Sequence, residues 1–424
     1  MKKLNAIQSL VYLFLIIYFG LLILPDLPLS IWSMIDQNVQ LDSLFLPIVN
    51  WIGQHVFQLK EPITILPSGS GDTTYNYVFE FFKIILSIFG AITWYFLDSQ
   101  RTENQVFRYW VKTILRYYLA TTMFTYGFSK VFYQQFSFPS LWQLDSPFGQ
   151  SSPMGLAWKF IGYSQPYNVF LGSMEVLGGA LLLFRRTTTL GALITLGVMT
   201  QVMVMNFCYD IPVKIFSTQL VLISLWLLSD DTVRLANLLF LNKPTEAVPF
   251  FEPFEKKIYN RIHLVLKYLV VGAVTILPLI EYVFPSNEDE MFEDEDTPLY
   301  GMYQVEKYVI NKDTIAPLWT DSTRWNKLYF EYPETAMIRM TDNRVQNFEV
   351  EIDTIEKNIS FQSRKDTTQI FEFKYHNLDN QRLMFCGMKG KDSICVLTNK
   401  VDVNKKYSLP GRGFHWINER PYNR

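Results

Sequence analysis

Metal-ligating residues are scarce in this sequence. Its 424 residues include three cysteines and four histidines, with no CxxC pair and no spacing suited to zinc, an iron–sulfur cluster or a haem held between two histidines. Neither a metal site nor a covalently bound cofactor is therefore expected. Charge is sparse as well: Asp, Glu, Lys and Arg make up 18% of the chain, and the net charge is −2. That near-balance lacks the broad basic field that nucleic acid requires, so nucleic acid is not an expected partner. In place of charge the chain carries 49% hydrophobic and 16% aromatic residues. The charges that remain are gathered into particular stretches, as in a chain that has the lipid bilayer for a partner.

Apolar runs close to the length that crosses a bilayer core predict helical spans at residues 6–24, 77–97, 113–133, 167–184, 187–207, 214–229 and 263–284. The first run is long for a signal-peptide core and no A-x-A-like site follows it, so it is read as a span. Positive charge sorts the connections. Lys2 and Lys3, then Arg101, Arg108 and Lys112, then Arg185 and Arg186, then Arg234, Lys243, Lys256, Lys257 and Arg261 fall on one side, while the opposite loops hold few lysines. This asymmetry places the N-terminus in the cytoplasm, and an odd number of spans then carries everything after Phe284 to the far side.

Residues 285–297 read as an acidic tether, with seven Asp or Glu between Glu288 and Asp296 and no EF-hand pattern. Over residues 298–424 the period of the pattern drops to two. Phe348, Val350 and Ile352 alternate with Glu349, Glu351 and Asp353, and Phe371, Phe373 and Tyr375 alternate with Glu372, Lys374 and His376. Further runs at 302–310, 325–332, 336–340, 358–362, 381–387 and 393–398 bring the count to about eight short strands. The predicted architecture is an α-helical membrane bundle of about seven transmembrane helices over residues 1–284. A small all-β domain follows it, read as a lipocalin-like antiparallel barrel.

Polar residues inside the predicted spans are the first candidates for function, because charge facing lipid is costly. Glu175 lies about 15 Å deep, counted from Arg185 at 1.5 Å per residue, and Lys130, Lys83, Gln201 and Gln219 fall at comparable depth on other spans. Glu175 is expected to pair with Lys130 or Lys83. Such a pair serves either as a proton acceptor and polar anchor for an amphiphile or as a structural lock between helices. The glycine-rich residues 67–74 resemble a phosphate cradle but lack the Walker lysine. Asp72 or Thr73 is expected instead to cap the second span. Asp210 and its neighbours Asn206 and Lys214 rim or cap the turn between the fifth and sixth spans. Cys386 and Cys395 face each other if Gly390 and Lys391 form a two-residue hairpin loop, so they either form a disulfide or fill the core as small residues. Arg412 and His415 lie in a tail that either latches the barrel or faces an interior ligand or the bundle.

Arg116, the run Tyr126-Gly127-Phe128-Ser129-Lys130, the run from Gly172 through Glu175 to Gly179, and Arg185-Arg186 together resemble the DoxX-like membrane family. The likeness covers residues of about 113–230. The extra spans and the β domain look like the enlarged members found in Bacteroidota, which implies a bacterial inner-membrane bundle and a periplasmic barrel. Some DoxX-like proteins are subunits of quinone-reducing enzymes or accessories of periplasmic redox systems. The resemblance therefore implies a membrane-embedded part in a quinone-linked or periplasmic redox system, with quinone as cofactor and a redox protein as partner. The competing expectation is a nonenzymatic anchor whose barrel binds a lipidic ligand or a partner protein.

Overall fold

The computed structural model describes residues 5–32, 41–65, 68–98, 104–246, 251, 253–254, 256–283, 297–364 and 370–422. The acidic run at 288–296, along with Lys2, Lys3 and Arg101, lies outside the described residues. The chain forms two compact units, one of Met1–Ser137 with Ser152–Pro285, the other of Phe138–Ser151 with Ser286–Arg424. The second unit thus includes a short segment that the sequence boundary at 284 assigns to the bundle.

The first unit is helical: α1 (Ala6–Trp32), α2 (Leu41–His55), α3 (Thr74–Leu97) and α4 (Gln105–Val131) precede the short segment that joins the other unit. There α5 (Leu141–Leu144) is a single turn. The first unit resumes with α6 (Pro153–Tyr163), α7 (Gln165–Leu183), α8 (Thr188–Cys208), α9 (Lys214–Leu228), α10 (Thr232–Leu239) and α11 (Lys257–Val283). Among the described residues, five helices are long and apolar enough to cross a membrane: α1, α3, α7, α8 and α11. Of the predicted spans, the two in α4 and α9 do not meet that description. α4 carries Arg108, Lys112, Arg116 and Lys130, and α9 has 15 residues. Helices α2 and α6 stand in stretches read from the sequence as connections.

Helix α4 is central to the packing. Leu119, Ala120, Met123 and Phe124 from α4 join Leu182 of α7, Met199 of α8 and Ile223 of α9 in one buried cluster. Glycine sets the closeness of α4 and α7. A Cβ on Gly172 would stand 2.5 Å from the Gly127 carbonyl oxygen, and one on Gly127 would stand 2.7 Å from a Val176 methyl. Only backbones bare of side chains at both points approach this closely, the arrangement that small residues permit between membrane helices.

The second unit is a closed antiparallel barrel of eight strands. They are β1 (Gly301–Ile310), β3 (Trp325–Tyr332), β4 (Thr335–Met340), β5 (Val345–Asp353), β6 (Asn358–Ser363), β7 (Ile370–Asn377), β8 (Arg382–Lys389) and β9 (Asp392–Lys400). Each pairs with the next, and β9 pairs back to β1, while the two-residue β2 (Asp313–Thr314) only extends the end of β1. The period-two pattern has its expected consequence in β7, where Phe371, Phe373 and Tyr375 are buried and their neighbours are exposed. An eight-stranded barrel has an interior just wide enough for side chains to fill. Trp325, Tyr308, Phe330, Phe361 and Phe385 are fully buried there, with Trp325 against Phe361 and Phe373 at centroid distances of 5.7 and 5.5 Å.

Alternation fails at one patch. Consecutive residues Leu328, Tyr329 and Phe330 of β3 are all buried, as are Ile338, Arg339 and Met340 of β4. The cause is the segment Phe138–Ser151, whose Leu141 and Trp142 pack on Met302, Tyr329 and Met337 and cover the outer face of the strands.

Candidate functional site

Lys130 and Glu175 are brought together by the close approach of α4 and α7. Lys130 Nζ donates to Glu175 Oε2 at 2.8 Å, and the side chains are 8% and 2% exposed. The ammonium also donates to the Tyr126 carbonyl at 3.3 Å and lies over the Tyr126 and Phe136 rings at 5.6 and 5.9 Å. Both members of the pair line a cavity of about 1050 Å³ bounded mainly by apolar residues of α4, α6, α7, α8 and α9. Gln201 is exposed on α8 but stands in the same wall, as does Gln135. This arrangement offers a positive donor and a neighbouring carboxylate to a molecule that is otherwise apolar.

Lys83 does not reach Glu175. It pairs with Glu80 one turn earlier on α3 at 2.7 Å, an acid that the reading of the spans overlooked. Glu80 also accepts from the Tyr18 hydroxyl of α1 and from Gln219 Nε2 at 3.1 Å, and Gln219 in turn reaches Tyr18 at 3.1 Å. The expected single polar layer is therefore two clusters, one tying α4 to α7 and the other tying α1, α3 and α9. The signal for the second was present as Glu80-x-x-Lys83, a spacing that aligns two side chains on one helix face.

The glycine-rich turn is a capping device. Thr73 is the N-cap of α3 and forms a capping box with Asn76. Asp72 serves a different helix, because its carboxylate accepts from the backbone amides of Lys214 and Ile215 at 2.7 and 3.1 Å and so caps α9. Lys214 Nζ bonds Asp210 at 2.9 Å, an exposed pair that closes the same corner, and Asn206 donates to Ser217 at 3.0 Å. Asp72 and Thr73 thus satisfy helix ends, while Asp210 pairs with the Lys214 side chain rather than with a backbone amide.

In the barrel, a disulfide joins Cys386 and Cys395, directly opposite partners on β8 and β9. His415 is exposed, with its ring 3.3 Å from the Gly413 carbonyl, while Arg412 lies over Tyr422 at 4.3 Å. Phe414, Trp416 and Ile417 are also exposed, so the tail does not face the barrel interior. The latch comes instead from Tyr407, between α12 (Val403–Lys406) and α13 (Ser408–Arg412).

Tyr407 belongs to a cluster that sequence reasoning missed, centred on Asp145. The Asp145 carboxylate accepts from Lys327 at 2.6 Å, Arg339 at 2.6 Å, Tyr329 at 2.7 Å and the Tyr407 hydroxyl. Lys327 and Arg339 are direct cross-strand partners on β3 and β4, a like-charge pair that is unfavourable until an anion neutralises it. Burial alone would raise the Asp145 carboxyl, but the hydrogen bonds from Lys327, Tyr407 and Tyr329 outweigh it and hold the group below the ordinary carboxylate range. For the same reason Tyr329 and Tyr407 are pushed up, by burial first and by bonding to Asp145 second. Among the described residues, no group of three or more His, Cys, Asp or Glu is placed to hold a metal ion.

No family model matches the chain, and no solved structure does. Over 121 residues, 28% of its length, the chain is 36% identical to the uncharacterised protein YwoB of Bacillus subtilis (strain 168), and the match covers 77% of that protein. The chain therefore belongs to the family of YwoB.

Proposed function

We propose that this chain is a DoxX-like inner-membrane protein whose bundle binds a quinone-type amphiphile beside Lys130 and Glu175, as the membrane-embedded accessory of a quinone-linked or periplasmic redox system. The observation that carries this reading is the position of the ion pair in the wall of a cavity of about 1050 Å³. An ion pair that only locks two helices needs no space beside it. Here the Lys130 ammonium is a donor for a ring carbonyl, Glu175 is a proton acceptor next to it, and the apolar lining takes a hydrocarbon tail. The Cys386–Cys395 bridge supports an oxidising compartment for the barrel, and the sorting of Lys and Arg supports a cytoplasmic N-terminus.

The competing reading makes the bundle an anchor for the barrel. Aromatic side chains fill the barrel interior, which moves any ligand or partner protein to its outer surface. Mass spectrometry of organic extracts from the detergent-purified protein separates the two. Quinone present near one per chain, lost in Lys130→Met and less abundant in Glu175→Gln while both variants elute at the wild-type volume, is the expected result. Wild-type protein free of quinone, or equal retention in a folded Lys130→Met variant, overturns the proposal.

A further inference from the structure

A second cavity, of about 1320 Å³, runs along α4 and α11 in the same helical unit. These two helices are parallel: the Tyr109 hydroxyl meets His263 Nε2 at 3.4 Å near their N-terminal ends, and the Phe132 and Tyr282 rings stack at 6.4 Å near their C-terminal ends. Charge is unevenly distributed along the groove between them. Arg116, Arg185, Lys257, Arg261 and Lys267 line it, and among the described residues no Asp or Glu does. On α4 and α11 these cations lie within about two helical turns of Tyr109 or His263. Arg185 joins them, its guanidinium 4.5 Å from the centroid of the Tyr109 ring. Val270, Val274 and Thr125 line the remainder.

Arg116 shows what this end of the groove lacks. The residue is 7% exposed, donates to Thr188 Oγ1 at 3.3 Å and lies over the Tyr117 ring at 5.2 Å, yet its Nε has no hydrogen-bond partner among the described residues. Tyrosine and threonine neutralise no charge, and a buried cation without a counter-ion is costly.

We propose that this groove binds an anionic amphiphile, with a phosphate headgroup among the cations and an acyl chain along the α11 wall. Arginine's planar fork matches phosphate oxygens bidentately, and lysines at the rim add point charge. Basic pockets between membrane helices bind lipid headgroups by this chemistry. The length of the groove favours a lipid over a free anion: Arg261 to Val274 spans about 20 Å at 1.5 Å per residue, along an apolar wall that inorganic phosphate would leave empty. Tyr126 and Phe216, with ring centroids 6.1 Å apart, line both this cavity and the one beside Lys130, so the two adjoin.

Native mass spectrometry of the full chain in detergent tests the proposal, with phosphatidylglycerol, phosphatidylcholine of the same acyl chains, and inorganic phosphate added in separate arms. Phosphatidylglycerol is expected to bind at least about tenfold tighter than phosphatidylcholine. Each rim charge removed should weaken it about fivefold, so the exposed pair Lys257→Gln with Arg261→Gln should weaken it roughly 25-fold. Arg116→Gln should abolish binding, and should that variant fail to fold, the rim pair decides. Equal binding of the two lipids, a rim variant that binds like wild type, or displacement of phosphatidylglycerol by equimolar inorganic phosphate overturns it. None of these outcomes bears on whether quinone occupies the other cavity.

Discussion

Asp145 shows how much a single carboxylate can hold when its partners come from distant parts of the chain. Lys327 and Arg339 face each other across β3 and β4 and need an anion between them. Asp145→Asn keeps the shape and removes the charge, leaving the buried Arg339 and the half-buried Lys327 without a counter-ion, so it should cost about 3–5 kcal/mol. Chemical denaturation of the full chain, followed by near-ultraviolet signals of the barrel aromatics, measures this. The sign of the pH dependence follows from the depressed Asp145 carboxyl. Its contribution is fully present above the unfolded carboxylate value of about 3.9 and is lost as pH falls through the lower folded value. Wild type should therefore lose stability on acidification below the ordinary range while Asp145→Asn changes less over the same interval; parallel curves would remove Asp145 as the cause. Lys130 and Glu175 were legible beforehand because depth along a span follows from counting residues. Asp145 was not, because its partners are 182 residues or more away and only the barrel register reveals that Lys327 and Arg339 adjoin.

Between elements, the contact of α4 with α7 rests on two glycines. Gly172→Leu would drive a side chain into the Gly127 carbonyl, with overpacking expected to cost about 1–3 kcal/mol and to part Lys130 from Glu175. Gly197→Leu is the control, since a Cβ there meets nothing within 4 Å. Thermal unfolding in detergent should show a clear drop for the first and none for the second; equal midpoints would contradict the packing account. The barrel's own fastening is covalent. Replacing Cys395 with Ala opens a loop closed over a sequence separation of 9 and should cost about 2–3 kcal/mol in the same measurement. Strands such as β5 and β7 were legible because apolar and charged residues alternate along them, whereas in β3 and β4 the segment 138–151 buries the outer face as well. Helices α2 and α6 were not, since α6 has 11 residues and α2 is interrupted by Pro47, Asn50 and Gln54, so neither gives an unbroken apolar run.

For the whole molecule, the Asp145 cluster constrains the path through the membrane. Residues 138–151 and the barrel touch, so the chain between them must cross an even number of times. Helices α7, α8 and α11, the three in that stretch long and apolar enough to cross, would give an odd number, so the fourth crossing is expected of α9, which the sequence reads as a span although it has 15 residues. Accordingly, a compartment reporter inserted after Gly149 and another fused at the C-terminus should give the same signal, with an N-terminal fusion giving the opposite one. Opposite signals from the first two would break the argument. Synthesis adds a consequence in time. The ribosome delivers Asp145, Leu141 and Trp142 long before Lys327, which follows 182 residues later, about 10–40 s at ordinary elongation rates. During that interval a sticky, negatively charged stretch waits without its dock, exposed to whatever proteases and holdases patrol that face, and in a chain cut short after residue 285 the wait never ends.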